Sequence, residues 1–158
     1  DKSRSRGLGD VYKRQFQLSF LHGLVEFDME TETITRLAEL PNMVPYLPKV
    51  YYVNDSAHHG LAMSADDSAL CVAGTMDDYA AIVDRETFEY TILEGLGKKA
   101  YWAVSDRSGE NCLISWSETD QVSVINYATR EEIKRIDVGN HPQRIREGML
   151  KADWMSLY

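Results

Sequence analysis

Basic charge, cysteine, proline and long apolar runs are all scarce in this chain. Its 158 residues carry 17 Lys+Arg against 25 Asp+Glu, a formal net charge of −8. That balance disfavours a broad phosphate-binding face, and with it nucleic acid as a partner. Cys71 and Cys112 are the only cysteines. They are too few for a disulfide framework and belong to no C-x-x-C, so each reads as a small buried hydrophobe. No stretch approaches the roughly 20 apolar residues of a membrane-spanning helix. C-x-x-C-H, H-E-x-x-H and G-x-S-x-G are all missing. Local sequence therefore names no haem attachment, zinc pair or nucleophile elbow, and no cofactor, metal ligand or catalytic residue is expected. Against these absences stands a 44% hydrophobic content, that of one globular domain with a real core.

The first fifteen residues stand apart. Ser5 to Gln15, SRGLGDVYKRQ, resembles the translation of a sequencing-library adapter that ends in a transposase recognition sequence. Residues 1–15 are accordingly set aside as adapter-derived. The remaining 143 residues carry 12 basic and 23 acidic side chains, so the one basic cluster disappears with that segment. The native N-terminus is then expected to be missing, and the lack of a leader peptide carries no information about compartment.

Over residues 16–158 a repeat of about forty residues organises the chain. Its first marker is a turn with Asp or Asn first and Thr fourth: Asp28-Met29-Glu30-Thr31, Asp84-Arg85-Glu86-Thr87 and Asn126-Tyr127-Ala128-Thr129. An Asx side chain can accept a hydrogen bond from the backbone two residues on, which suits it to open a tight turn. Before each turn stands a short β-like run (LVEF, AAIV, VSVI), and an alternating one follows. An earlier hairpin supplies the second marker: Ala62-Met63-Ser64 then Asp66-Asp67-Ser68, and Ala103-Val104-Ser105 then Arg107-Ser108-Gly109. Cys71 and Cys112 fall 41 positions apart and Asp84 and Asn126 fall 42 apart, a difference assigned to a loop. Asp28 and Asp84 are 56 apart, so the connection PNMVPYLPKVYYVNDSA carries an insertion of about fourteen residues. Each full unit holds four short strands, with apolar and polar side chains alternating and Val, Ile, Tyr and Thr enriched. The fold class expected is all-β: a partial β-propeller of about two and a half four-stranded antiparallel blades, at about 23–40, 58–94 and 100–138, with a further strand starting over 142–148.

The two fuller units resemble YVTN-type (YncE-like) propeller repeats. The likeness lies in the Ser-x-Asp hairpin, the V-x-V-I-N and A-I-V-D strands with their turns, and the exit Ile136-Asp137-Val138-Gly139-Asn140-His141-Pro142. Asp67-Ser68 departs from the family's Asp-Gly, and Leu96-Gly97-Lys98-Lys99 departs from its exit. The resemblance implies a ring of about seven blades, half or more of it absent here, with the missing blades as the natural packing partner. It also implies a protein outside the cytoplasm, periplasmic or secreted. The function implied is a non-catalytic binding or scaffold propeller with an unknown ligand or protein partner. The alternative is part of a propeller enzyme, a lactone hydrolase or redox subunit, with its site in the central channel.

The candidate binding residues are His59, Trp102, His141, Arg144 and Arg146, expected at the channel mouth. His59 and Trp102 open successive units, and Arg144 and Arg146, two apart, share a face if extended; guanidinium groups suit carboxylate or phosphate. Each has a plainer reading beside it: His59 as a polar lining residue, the arginines as partners of Glu131 or Glu147. His58 and His59, adjacent on a strand, would point to opposite faces and could not chelate together. Asp66-Asp67 and Asp77-Asp78 read as turn residues, without the ligand spacing of a calcium loop.

Overall fold

The computed structural model describes residues 14–18, 22–52 and 56–148, the side chains of 14–18 and of Lys49 excepted. Among the described residues, eleven strands form three antiparallel sheets. The first holds β1 (Arg14–Leu18), β2 (Gly23–Asp28) and β3 (Thr33–Glu39). The middle sheet holds β4 (Gly60–Met63), β5 (Ala69–Gly74), β6 (Tyr79–Asp84) and β7 (Tyr90–Glu94), and the third β8 (Ala100–Ser105), β9 (Asn111–Trp116), β10 (Gln121–Asn126) and β11 (Glu131–Asp137). Within each sheet, every strand pairs with its neighbour in sequence. One short 3-10 turn, Lys49–Tyr52, lies in the long connection between the first two sheets. No helix among the described residues is long and apolar enough to cross a membrane.

The turn marker performs as its chemistry predicts. Asp28 Oδ1 accepts the N–H of Glu30 and Thr31 at 2.7 and 2.9 Å, and Asp84 Oδ1 those of Glu86 and Thr87 at 2.9 and 2.8 Å. Asn126 Oδ1 does the same for Ala128 and Thr129 at 3.1 and 3.0 Å. Each turn then passes through a left-handed residue, Glu32, Phe88 or Arg130, with φ of 55°, 62° and 57°. In the earlier hairpin Asp67 and Gly109 are both left-handed, φ 61° and 72°. Asp67 thus occupies the glycine's place, a conformation that short polar side chains tolerate better than most. Hydrogen bonds from the Ser64 and Ser68 hydroxyls and the Ser68 N–H hold the neighbouring Asp66 carboxyl down at about 2. The sheet connections repeat too: Asp78 Oδ1 accepts the Lys99 N–H at 2.6 Å, and Asp120 Oδ1 the His141 N–H at 2.8 Å. The atypical exit after the middle sheet therefore keeps the same geometry as the typical one.

Two layers of core follow from the pleat. On β5, Leu70 and Val72 face the first sheet, joining Leu24, Ala38, Leu40, Tyr79, Ala81 and Val83. Cys71 and Ala73, pointing the other way, join Ile82, Ala103, Ile114, Trp116 and Ile125 at the seam with the third sheet. Burial on both faces explains why β5 reads as an unbroken small-to-apolar run, ALCVAG, rather than an alternating one. The last strands, β3 and β11, are mostly exposed and rich in charge, which suits strands at sheet edges. Neighbouring sheets approach most closely through their inner strands, β4 against β8, so the sheets splay outward like wedges.

Gly60 permits that close approach. A Cβ there would stand 2.3 Å from Ala103 N and 2.7 Å from Trp102 C, both of them backbone atoms that cannot swing aside. Gly60→Ala must push β4 off β8, and is expected to cost about 2 kcal/mol. A lowered urea midpoint at unchanged m-value would show it.

The cysteines depart from expectation. Cys71 and Cys112 form a disulfide. The turn residues Asp84 and Asn126 pair with Ala69 and Asn111 respectively, so the structural equivalent of Cys112 is Leu70, not Cys71. The true repeat is 42, and the 41-residue spacing is a slip of one position. Because the side-chain period of a strand is 2, that slip turns the two thiols toward each other across the seam. The 142–148 segment also differs, carrying no regular secondary structure. A strand there would need a following strand of its own sheet as ladder partner, and none is among the described residues. Finally, β1 gives the first sheet a third strand and begins at Arg14, with Arg14 and Gln15 paired to Asp28 and Phe27. Backbone pairing of that kind is open to any sequence. Residues 1–13 lie outside the described residues.

Candidate functional site

Two clusters of chemically capable side chains form, one on the inner strands and one at the seam of the first two sheets. The first contains three of the residues expected from sequence. His59, at the entry to β4, stacks on the Tyr101 ring at 4.2 Å between centroids and lies 5.8 Å from the Trp102 ring. Arg144 places its guanidinium over Trp102, 4.6 Å from the ring centre. On a regular strand Tyr101 and Trp102 would point to opposite faces. The β8–β9 register shifts between Ala100 and Trp102, and this bulge brings both rings within reach of His59. The Trp102 N–H donates to Ser115 Oγ at 3.1 Å, and Ser115 Oγ donates to Gln143 O at 2.7 Å, which ties the 142–148 segment to the same place.

Arg146 lines an adjoining groove of about 620 Å³ with Leu61, Met63, Trp102 and Ile145. His141 is not brought into the cluster; its N–H is held by Asp120 and its ring lies 3.3 Å from the Gln143 amide. Neither Arg144 nor Arg146 has an ion-pair partner among the described residues. Glu147 instead stands 4.0 Å from Arg107.

The second cluster was not legible in sequence. The two histidines of His58-His59 do diverge, as the strand geometry demands, and His58 turns into the seam. There the His22 Nδ1 lies 2.6 Å from Asp77 Oδ2, and His58 Nε2 lies 3.6 Å from the same oxygen. The side chains of His58 and Asp77 are 0% exposed and that of His22 9%. Tyr52 Oη is 3.2 Å from His22 Nε2, Tyr79 Oη is 2.8 Å from His58 Nε2, and the Met43 N–H donates to Asp77 Oδ1 at 2.7 Å. Burial works to raise the Asp77 carboxyl, but contacts with His58, the Met43 N–H and His22 outweigh it and hold the group below its ordinary range. Burial, then the Asp77 charge, pushes both Tyr52 and Tyr79 up.

An open groove of about 470 Å³ reaches this cluster, lined by His22, Leu40, Asn42, Pro45, Pro48 and Tyr52. The long connection thus folds over the seam and supplies its wall. Of the Asp77-Asp78 pair, only Asp78 does the turn work expected of both. Asp77 is a missed site residue, as are His22 and Tyr52. One signal was available: His22 precedes β2 where Asp78 and Asp120 precede β6 and β10, so an imidazole replaces the repeat's carboxylate.

Wedge-shaped antiparallel sheets of three or four strands, joined in sequence order and packed through their inner strands, are consecutive blades of a β-propeller. Solved structures agree. The chain is similar over 76% of its length to hydrazine synthase of Kuenenia stuttgartiensis, with a TM-score of 0.62, 15% identity and 31% of that chain covered. It is similar over 80% of its length to Sqt1 of Saccharomyces cerevisiae, at 0.62, 14% and 31%. The RRP9 WD40 repeats match over 80% at 0.63, with 13% identity and 35% of that chain covered. The chain spans about a third of the length of these proteins, and the likeness is one of fold. No protein family matches the sequence, and no curated protein matches it either.

Proposed function

We propose that this chain is part of a non-catalytic, ligand-binding propeller of the YVTN (YncE-like) type, with its binding surface at the channel mouth formed by His59, Trp102 and Arg144, and Arg146 at the rim. The ligand is an anion with a flat apolar body, such as an aromatic carboxylate. The observation that carries this reading is the Arg144 guanidinium laid over Trp102. An arginine stacked on an indole keeps its in-plane N–H groups directed sideways, where they can meet a carboxylate while the ring next to them takes the apolar body. No acid, base and nucleophile converge there among the described residues, which favours binding over turnover.

In the same reading residues 1–15 are adapter-derived, and residues 16–158 pack through their outer faces on further blades of one ring. An exported protein is also favoured, because the Cys71–Cys112 bond joins two blades within the core, and structural disulfides persist in oxidising compartments.

Titration with benzoate, followed by indole fluorescence and calorimetry, tests the proposal. Arg144→Ala is expected to weaken binding about tenfold or more, the value of a charged hydrogen bond. Trp102→Ala should weaken it similarly, and uncharged benzamide should bind far less well than benzoate. Equal affinity of wild type and Arg144→Ala for benzoate would remove the proposed site.

A further inference from the structure

We propose that His22, His58 and Asp77 are the protein ligands of a divalent transition metal of the zinc type, bound in the seam between the first two blades. The three residues each offer one donor atom, and the three atoms lie within 4.8 Å of one another. Two imidazoles and a carboxylate are a donor set that suits zinc and its neighbours rather than calcium or magnesium. Zinc holds such donors at about 2.0–2.2 Å, which puts tetrahedral ligands roughly 3.4 Å apart. Asp77 Oδ2 and His58 Nε2, at 3.6 Å, already have that spacing. Asp77 Oδ2 and His22 Nδ1, at 2.6 Å, are joined by a hydrogen bond that opens by less than 1 Å when the ion replaces the proton between them; that proton leaves to solvent.

The surroundings carry the second half of the argument. Metal-binding histidines and carboxylates are normally oriented by outer hydrogen bonds on the atoms that do not ligate. Here the far nitrogen of His22 meets the Tyr52 hydroxyl, and the far oxygen of Asp77 receives the Met43 N–H. His58 is buried and its Nδ1 has no hydrogen-bond partner, an uncommon state for an interior polar atom. The His58 Nε2 meets Tyr79 Oη at 2.8 Å; the ion takes the place of that hydrogen bond, and the imidazole proton resides on the unpartnered Nδ1. Three protein ligands beside a groove from which water can supply the fourth match an open zinc site.

The repeat itself sets these residues apart. In the next two blades the residue before the third strand is an aspartate, Asp78 or Asp120, that caps the N–H of Lys99 or His141. In the first blade the corresponding N–H, that of Met43, is capped by Asp77 of the neighbouring blade, and His22 is released from that duty. Its imidazole is not needed to hold the fold's connection.

The experiment uses the whole chain, stripped with a chelator and titrated with Zn²⁺ by calorimetry and with Co²⁺ by visible absorption. One equivalent of Zn²⁺ should bind, raise the melting temperature and release protons, and Co²⁺ should give the strong visible bands of a four-coordinate site. His22→Gln and Asp77→Asn should each lower affinity about a hundredfold or more, whereas the exposed His141→Ala should not change it. His22→Gln, at the edge of the seam, serves as the variant whose folding is least at risk. Lack of Zn²⁺ binding by the wild-type chain, or binding of undiminished affinity in His22→Gln, overturns the proposal. Benzoate binding at Trp102 is independent of either result.

Discussion

Replacing Cys71 and Cys112 together by alanine is expected to lower the unfolding free energy by about 4 kcal/mol, the chain-entropy value for a closed loop of this length. The two residues are 41 apart in sequence, and the loop they close contains the whole outer half of the middle blade and the start of the third. Without the bond, the two blades are held together only by apolar packing and a few hydrogen bonds such as Arg130 to Thr91 at 3.0 Å. The clean measurement is a urea melt with and without reductant. Wild type should lose about as much stability on reduction as the double variant loses by substitution, and the variant should ignore the reductant. A wild-type midpoint indifferent to complete reduction, verified by thiol counting, would contradict the bond's role in stability.

Trp116→Ala should be as damaging. The indole is 0% exposed at the same seam and donates from Nε1 to Ser123 Oγ at 2.7 Å. It also fills the space that Gly97 leaves: a Cβ on Gly97 would stand 2.5 Å from the indole Cγ. Truncation removes this packing and strips a buried hydroxyl of its donor, for an expected loss of about 4 kcal/mol. Trp102→Ala, a half-buried indole on the inner strand, should cost less than half as much. Comparable losses at the two tryptophans would mean that the seam between the second and third blades is not the core it is taken to be. Trp116 and Cys112 belong to one packed cluster, so combining the three substitutions should give a total different from the sum.

The strands and turns of these blades were readable from the residues because their causes are local. An Asx oxygen reaches only its own turn, and the β-branched and aromatic residues of β2, β6 and β10 favour an extended backbone within each strand alone. The cluster of His59, Trp102 and Arg144 was half legible for a related reason: His59 and Trp102 open successive repeats, and so stand at the entry to β4 and on β8. Tyr101 escaped notice because its contact with His59 depends on a bulge, which places two consecutive side chains on one side.

Strand content, turn positions, blade order and the inner location of His59 and Trp102 were set by the linear order of residues, since each follows from neighbours a few positions away. Tertiary structure alone decided the pairing of Cys71 with Cys112 and the meeting of His22, His58 and Asp77. The physical reason is the same in both cases. A side chain's partner across a seam depends on which face of the pleat it occupies. A spacing of 41 instead of 42, or one histidine in place of an aspartate before β2, changes that partner without disturbing the pattern that builds the strand.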